Sequence, residues 1–179
     1  DHYLLLHSIL KPGMNVLDIG ANIGYYTIME SLAIGRTGCV TAIEPMLPNI
    51  ELLRKNLVLN GIENVEVIHG AVSAQTGIGQ MFKSTHSNLH TFHNEGSAVK
   101  TLNSHPIDVP TFTLRDVVYG REKPDLIRMD VEGHEVEILK QLGELAEKDE
   151  ICPSVIFETH LTRYTHDNDF IPVLQKLFN

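Results

Sequence analysis

Three short runs in this chain of 179 residues carry side chains whose types and spacing can do chemistry. The first is Asp18-Ile-Gly20-Ala21-Asn22-Ile-Gly24. Glycines at a bend let backbone come close to a ligand, because no Cβ intervenes. A helix that starts there offers free N–H groups to a carboxylate, and Asp18 beside it is placed to accept from an ammonium. Together these suit the two ends of an amino-acid moiety. The dinucleotide fingerprint G-x-G-x-x-G fits poorly: the spacing here is G-x-x-x-G, and Asn22 stands where the middle glycine belongs.

The second run centres on Glu44, about twenty residues past that bend, where an acidic side chain at a strand end can accept ribose hydroxyls. Gly70-Ala71-Val72 follows a third strand and would line a base through backbone and apolar contact. The third run is Met129-Asp130-Val131-Glu132-Gly133-His134-Glu135. If it stays extended, Asp130, Glu132 and His134 share one face. His134, with a pKa near working pH, or Glu132 is then a candidate general base on an acceptor hydroxyl. A competing reading makes Glu132 the cap of the following helix and His134 a surface residue of its first turn. Two carboxylates and an imidazole also form a conceivable metal set. His86, His90, His93, His105, Glu158 and His160 could add to it, but their spacings match no metal motif, and no metal is expected.

Alternating strand and helix signals supply the frame, the pattern of a parallel sheet with helical crossovers. Strands are predicted at Asn15–Gly20, Val40–Glu44, Val65–His69, Asp125–Asp130 and Ser154–Glu158. Helices are predicted at about Gly24–Ile34, Pro48–Asn60, His134–Lys148 and Phe170–Phe178. Gly35 and Gly61 stop the first two, and Val136, Leu139, Leu142 and Leu145 are the inward face of the third. Short strands near Gly79–Lys83 and Ile107–Thr113 flank a stretch, Ser84–Pro106, rich in Ser, Thr, His and Asn and without sustained period. Such a stretch reads as a binding loop or as a solvated insertion. One domain over residues 1–179 is expected, shortened at one or both ends, since the chain opens without Met and stops before the strands that often close such sheets.

Composition narrows the partners. Hydrophobic residues are 42% and charged residues 21%, ordinary for a globular protein. A net charge of −9 argues against a nucleic-acid polyanion. No apolar run approaches the roughly 20 residues that span a bilayer, and the opening residues lack a signal-peptide pattern. The expectation is a cytoplasmic protein with neither nucleic-acid nor membrane partner. Cys39 and Cys152 are isolated and are expected to be reduced core thiols.

Taken in order, Val16–Thr27, Ile43-Glu44-Pro45 with Asn49, Asn56 and Asn60, Gly70–Ser73, Thr113–Asp116 and Ile127–Glu135 resemble the FkbM-type methyltransferases. The resemblance runs from about Gly13 to Glu158, and Asp130-Val-Glu-Gly-His-Glu135 is its most specific part. It implies a Rossmann-like class I methyltransferase fold, an α/β three-layer sandwich with a mostly parallel sheet. It also implies methyl transfer from S-adenosyl-L-methionine, often to a hydroxyl oxygen of a small molecule or glycan. By position, Asp18, Gly20, Ala21, Asn22 and Gly24 would hold the methionine part, with Tyr25 beside them. Glu44 would hold the ribose, with Pro45 beside it, and Gly70, Ala71 and Val72 would line the adenine edge. Asp130 and Glu132 would sit by the transferred methyl. Two features depart from the family: Arg128 stands where lysine is expected, and the final hairpin is missing. The rival functions are a donor-binding module without transfer and, further off, a nicotinamide oxidoreductase.

Overall fold

A computed structural model describes residues 2–84, 102–159, 164 and 169–177. Its main sheet has five parallel strands: β1 (Asn15–Ile19), β2 (Cys39–Glu44), β3 (Val65–His69), β7 (Leu126–Met129) and β8 (Ser154–Phe157), in the order β3-β2-β1-β7-β8. Strands buried on both faces are written as near-continuous apolar runs. In β1 and β7 every residue but Asn15 is buried.

Alternation along β1 sends Leu17 and Ile19 to one face and Val16 and Asp18 to the other. On the first face, α5 (Glu135–Ala146) lays Ile138, Leu139, Leu142 and Leu145 against Leu17, Ile19, Ile127 and Met129, joined by Leu114 and Val117 of α4 (Leu114–Val118). On the second face, Leu6 of α1 (His2–Ile9) and Ile34 of α2 (Tyr25–Ile34) pack on Val16, Val40 and Leu126. Leu53 and Leu57 of α3 (Leu47–Leu59) complete that layer against Ala21 and Ala42. Helix, sheet and helix make the expected three layers. The last described helix, α6 (Phe170–Leu177), packs on α5, with Leu177 against Gly143.

A smaller sheet joins β4 (Ala71–Val72), β6 (Leu102–Phe112) and β5 (Gly77–Ser84) in the order β4-β6-β5; strands near Gly79–Lys83 and Ile107–Thr113 were expected, but β4 and the joining of the three into a second sheet were not. Strand β6 runs back through Leu102–Pro106, inside the stretch expected to be irregular; residues 85–101 of that stretch lie outside the described residues. Pro106 and Pro110 fit within β6 because β4 is only two residues long, so among the described residues much of that edge has no partner needing an N–H. Helices α1 and α4 were likewise not expected. Cys39 and Cys152 are free but exposed, a correction. Cys39 opens β2 at the rim of the sheet, and Cys152 lies in the loop before β8, so neither reaches the core. No helix among the described residues is long and apolar enough to cross a membrane.

Candidate functional site

Strand order reverses between β1 and β7, and open parallel sheets bind ligands beyond the strand ends at such a switch point. Backbone hydrogen bonds fasten those ends together. The N–H groups of Gly20 and Ala21 donate to the Ile43 carbonyl at 2.9 and 3.0 Å; those of Asp130 and Gly70 donate to Ile19 and Glu44, each at 3.0 Å. Gly20 has φ +84°, and a Cβ there would lie 2.2 Å from the Asp130 carbonyl oxygen. Only glycine lets the bend lie this close to the end of β7.

An open cleft sits over these ends. Gly20, Asn22, Glu44 and Pro45 form one side of it. Gly70, Ala71 and Val72 form a second, and Asp130, Glu132 and His134 a third. Four residues placed at the ligand by sequence are not on its walls. Asp18 is 0% exposed: strand alternation turns it toward α2, where Oδ2 accepts from the Thr27 hydroxyl at 2.6 Å and Oδ1 from Arg128 Nη1 at 3.0 Å. Ala21 is packed among Ala42, Leu53 and Leu57. A Cβ on Gly24 would lie 2.3 Å from Leu53 Cδ1, so this glycine serves the packing of α2 on α3. Tyr25 is 67% exposed and meets the Tyr26 ring edge-on, away from the cleft.

Ile19, Ile43, Val131 and Met81 also line the cleft and were not singled out by sequence. The first three neighbour residues that were, so strand ends as a class would have found them. Met81 lies in β5, which matches the strand expected near Gly79–Lys83, but the pairing that carries it to the cleft is announced by no local pattern.

Glu44 is buried and held by three donors. Its Oε1 accepts from the Met46 N–H at 2.9 Å and from Asn49 Nδ2 at 3.1 Å, and its Oε2 from the Asn22 N–H at 2.9 Å. Burial pushes its carboxyl above the ordinary range, while these hydrogen bonds oppose the shift. A carboxylate has about four lone-pair sites, so Oε2 keeps room for a further donor. Asn22, in left-handed backbone at φ 51°, lines the cleft, and its Oδ1 is buried with no hydrogen-bond partner among the described residues. A buried acceptor left so costs about 1–3 kcal/mol, which a ligand donor would offset.

The segment after β7 is not extended. Glu132 has φ 53° and Gly133 φ 100°, so a turn, rather than alternation, brings Glu132 and His134 to the cleft. The cap position itself falls two residues past Glu132, and Glu135 ties the turn. Glu135 Oε1 takes the N–H groups of Val131 and Gly133 at 3.2 and 3.3 Å, and its Oε2 accepts from the Tyr164 hydroxyl at 2.9 Å. His134 occupies the N-cap of α5 without a side-chain capping bond. Among the described residues no three His, Cys, Asp or Glu side chains gather as a metal site; His86, His90, His93, His160 and the side chain of His105 lie outside them.

The sheet order, the glycine bend at its switch point and the acidic side chain ending β2 define the class I S-adenosylmethionine-dependent methyltransferase domain. Within that class the chain belongs to the Methyltransferase FkbM domain family, which matches residues 18–179. The fold is shared with an FkbM methyltransferase from Methylobacillus flagellatus, at TM-score 0.52 and 16% identity over 87% of this chain and 39% of that one. A precorrin-6y C5,15-methyltransferase from Geobacter metallireducens superposes at TM-score 0.55 and 15% identity, over 98% of this chain and 69% of that one. A protein-L-isoaspartate O-methyltransferase from Methanococcus vannielii is 38% identical over 61 residues, 34% of this chain and 29% of that protein. The chain thus spans less than a third of the curated relatives it matches. The cofactor of this family is S-adenosylmethionine, and the orphaned Asn22 oxygen, the anchored Glu44 and the close glycine bend fit its polar groups.

Proposed function

We propose that this chain binds S-adenosylmethionine in the switch-point cleft and methylates a hydroxyl oxygen of a small molecule or glycan. The observation that carries the donor half is the convergence of Asn22, Glu44 and Asp130, from three separate strand ends, on one cleft. Glu44 Oε2 accepts from a ribose hydroxyl, Asn22 Oδ1 from the ammonium, and the backbone and side chains of Gly70, Ala71 and Val72 line the adenine. When bound, S-adenosylmethionine supplies an electrophilic methyl carbon on a sulfonium sulfur. The chain has little covalent chemistry to do, so holding an acceptor oxygen in line provides most of the acceleration. His134 or Glu132, on the third wall, takes the proton from the acceptor hydroxyl.

The acceptor half rests on charge. No Lys or Arg is among the described residues lining the cleft, and the chain carries −9 overall. Neither feature suits the phosphates of a nucleic acid. The test begins with Glu44→Ala and titration of S-adenosylmethionine by calorimetry. Affinity is expected to fall about tenfold or more, as for a lost hydrogen bond to a charged group; unchanged affinity refutes the ribose role. Label transfer from isotopic donor to hydroxylated small molecules and glycans, with RNA and protein alongside, then tests the acceptor class. Labelling of RNA or protein alone would overturn it.

A further inference from the structure

Asp18 belongs to the glycine-bend motif yet cannot touch a ligand, and its contacts show what it does instead. Arg128, in β7, has a side chain only 6% exposed. Its Nη1 donates to Asp18 Oδ1 at 3.0 Å, and its Nη2 donates to Asp130 Oδ2 at 3.3 Å. The guanidinium carbon stands 4.2 Å from the centroid of the Tyr26 ring. Asp18 is itself tied to α2 through the Thr27 hydroxyl at 2.6 Å. One continuous run of contacts therefore leads from α2, through β1 and β7, to a carboxylate on the cleft wall.

Each link has a physical reason. A buried guanidinium is tolerable only with anionic partners, and here there are two, one sealed in the core and one facing the cleft. Burial disfavours its charge, but the Asp18 and Asp130 carboxylates outweigh that and hold it charged. The planar fork has fixed geometry, so anchoring one arm on Asp18 and one face on Tyr26 fixes the direction of the other arm. Asp130, with 29% of its side chain exposed, meets that arm at the edge of the cleft. The nearby Glu30 makes no hydrogen bond to the guanidinium among the described residues, and burial first and Asp18 second push its carboxyl well above the usual range.

We propose that Arg128 is a positioning residue of the donor site, holding the Asp130 carboxylate in the orientation the donor meets and locking it to the buried Asp18–Thr27 pair. This rests on the reading that Asp130 faces the donor. Arg128 acts only through Asp130, and that makes the two separable by experiment.

The test is a double-mutant cycle read by calorimetry with S-adenosylmethionine as the probe. The forms compared are wild type, R128M, D130N and R128M/D130N, with R128K as the conservative variant. R128M is expected to weaken binding about tenfold, within the range of coupling between contacting residues. R128K keeps a cation between the two carboxylates and recovers most of that loss. R128M/D130N is expected to bind no more weakly than D130N alone, because the arginine has nothing left to orient. Should R128M fail to fold with Asp18 uncompensated, D18N/R128M measured against D18N, each with and without D130N, gives the same cycle. Wild-type affinity in D130N would sink the donor reading of Asp130, and with it this proposal. A weakened D130N whose loss simply multiplies with that of R128M would overturn the role of Arg128 and leave the cleft assignment standing.

Discussion

Glu30 is the side chain least served by its surroundings. It is 0% exposed, and neither carboxyl oxygen has a hydrogen-bond partner among the described residues. Desolvation first, then the Asp18 charge, raises its pKa well above the usual range, against a smaller opposing pull from Arg128. An acid raised in this way holds its proton in the folded chain where the unfolded chain has released it. Its stabilising contribution is therefore complete below the ordinary glutamate range and is lost as pH climbs through the raised value. Glu30→Gln removes that titration. Its melting temperature should match wild type near about pH 4 and exceed it by a few degrees near about pH 8, at roughly 2–4 °C per kcal/mol for a domain of this size. Glu44 is raised too, so a shallower pH slope should persist in the variant. An unchanged slope by thermal unfolding would mean that Glu30 is not the buried acid responsible. Glu30 lies in no motif, and for the acidic residues that do, sequence identified chemistry better than direction. Asp18 stood out by its motif, but whether it pointed at ligand or core depended on which face of β1 met α2.

The elements that carry the cleft differ in how much they reveal locally. Helices α2, α3 and α5 and the five main strands follow apolar periods of their own, and sequence placed each to within a residue or two. Strand β6 does not: its Leu102–Pro106 portion becomes a strand only by pairing with β5, and no neighbour in sequence encodes that partner. The two-residue β4 and five-residue α4 are too short to show a period. Where an element meets the site, the tolerance is set by contact rather than by propensity. Gly20→Ala would put a methyl against the Asp130 backbone at left-handed φ, so the bend or the end of β7 must move. A stability loss of about 1–3 kcal/mol by urea unfolding, together with weaker donor binding, is expected. Gly61→Ala is the control, because Gly61 also has positive φ, +64°, but nothing within 4 Å of its Cβ position. It should cost about 1–2 kcal/mol from backbone strain alone and leave donor affinity intact. Equal donor affinity in both variants would show that the packing of the bend on β7 does not shape the cleft.

The molecule as a whole is closed by the site. The strand ends that frame the cleft belong to the central sheet, whose two faces carry α5 with α4 on one side and α1, α2 and α3 on the other. A ligand bridging β1, β2 and β7 at their tips touches elements committed to both helical layers, so its binding energy should appear as stability of the whole domain, not of one loop. Ligand at about a hundredfold over its Kd adds about 2.7 kcal/mol, which for this size corresponds to a rise of about 5–11 °C in melting temperature. S-adenosylhomocysteine, which keeps the amino-acid, ribose and adenine groups, should produce such a rise. Glu44→Ala should lose most of it at the same concentration. NAD should produce none, because the bend has Asn22 in place of the middle glycine that lets a pyrophosphate approach. A single cooperative transition that shifts with the nucleoside and ignores the dinucleotide is the expected thermogram. A shift with NAD and none with S-adenosylhomocysteine would return the cleft to the oxidoreductases.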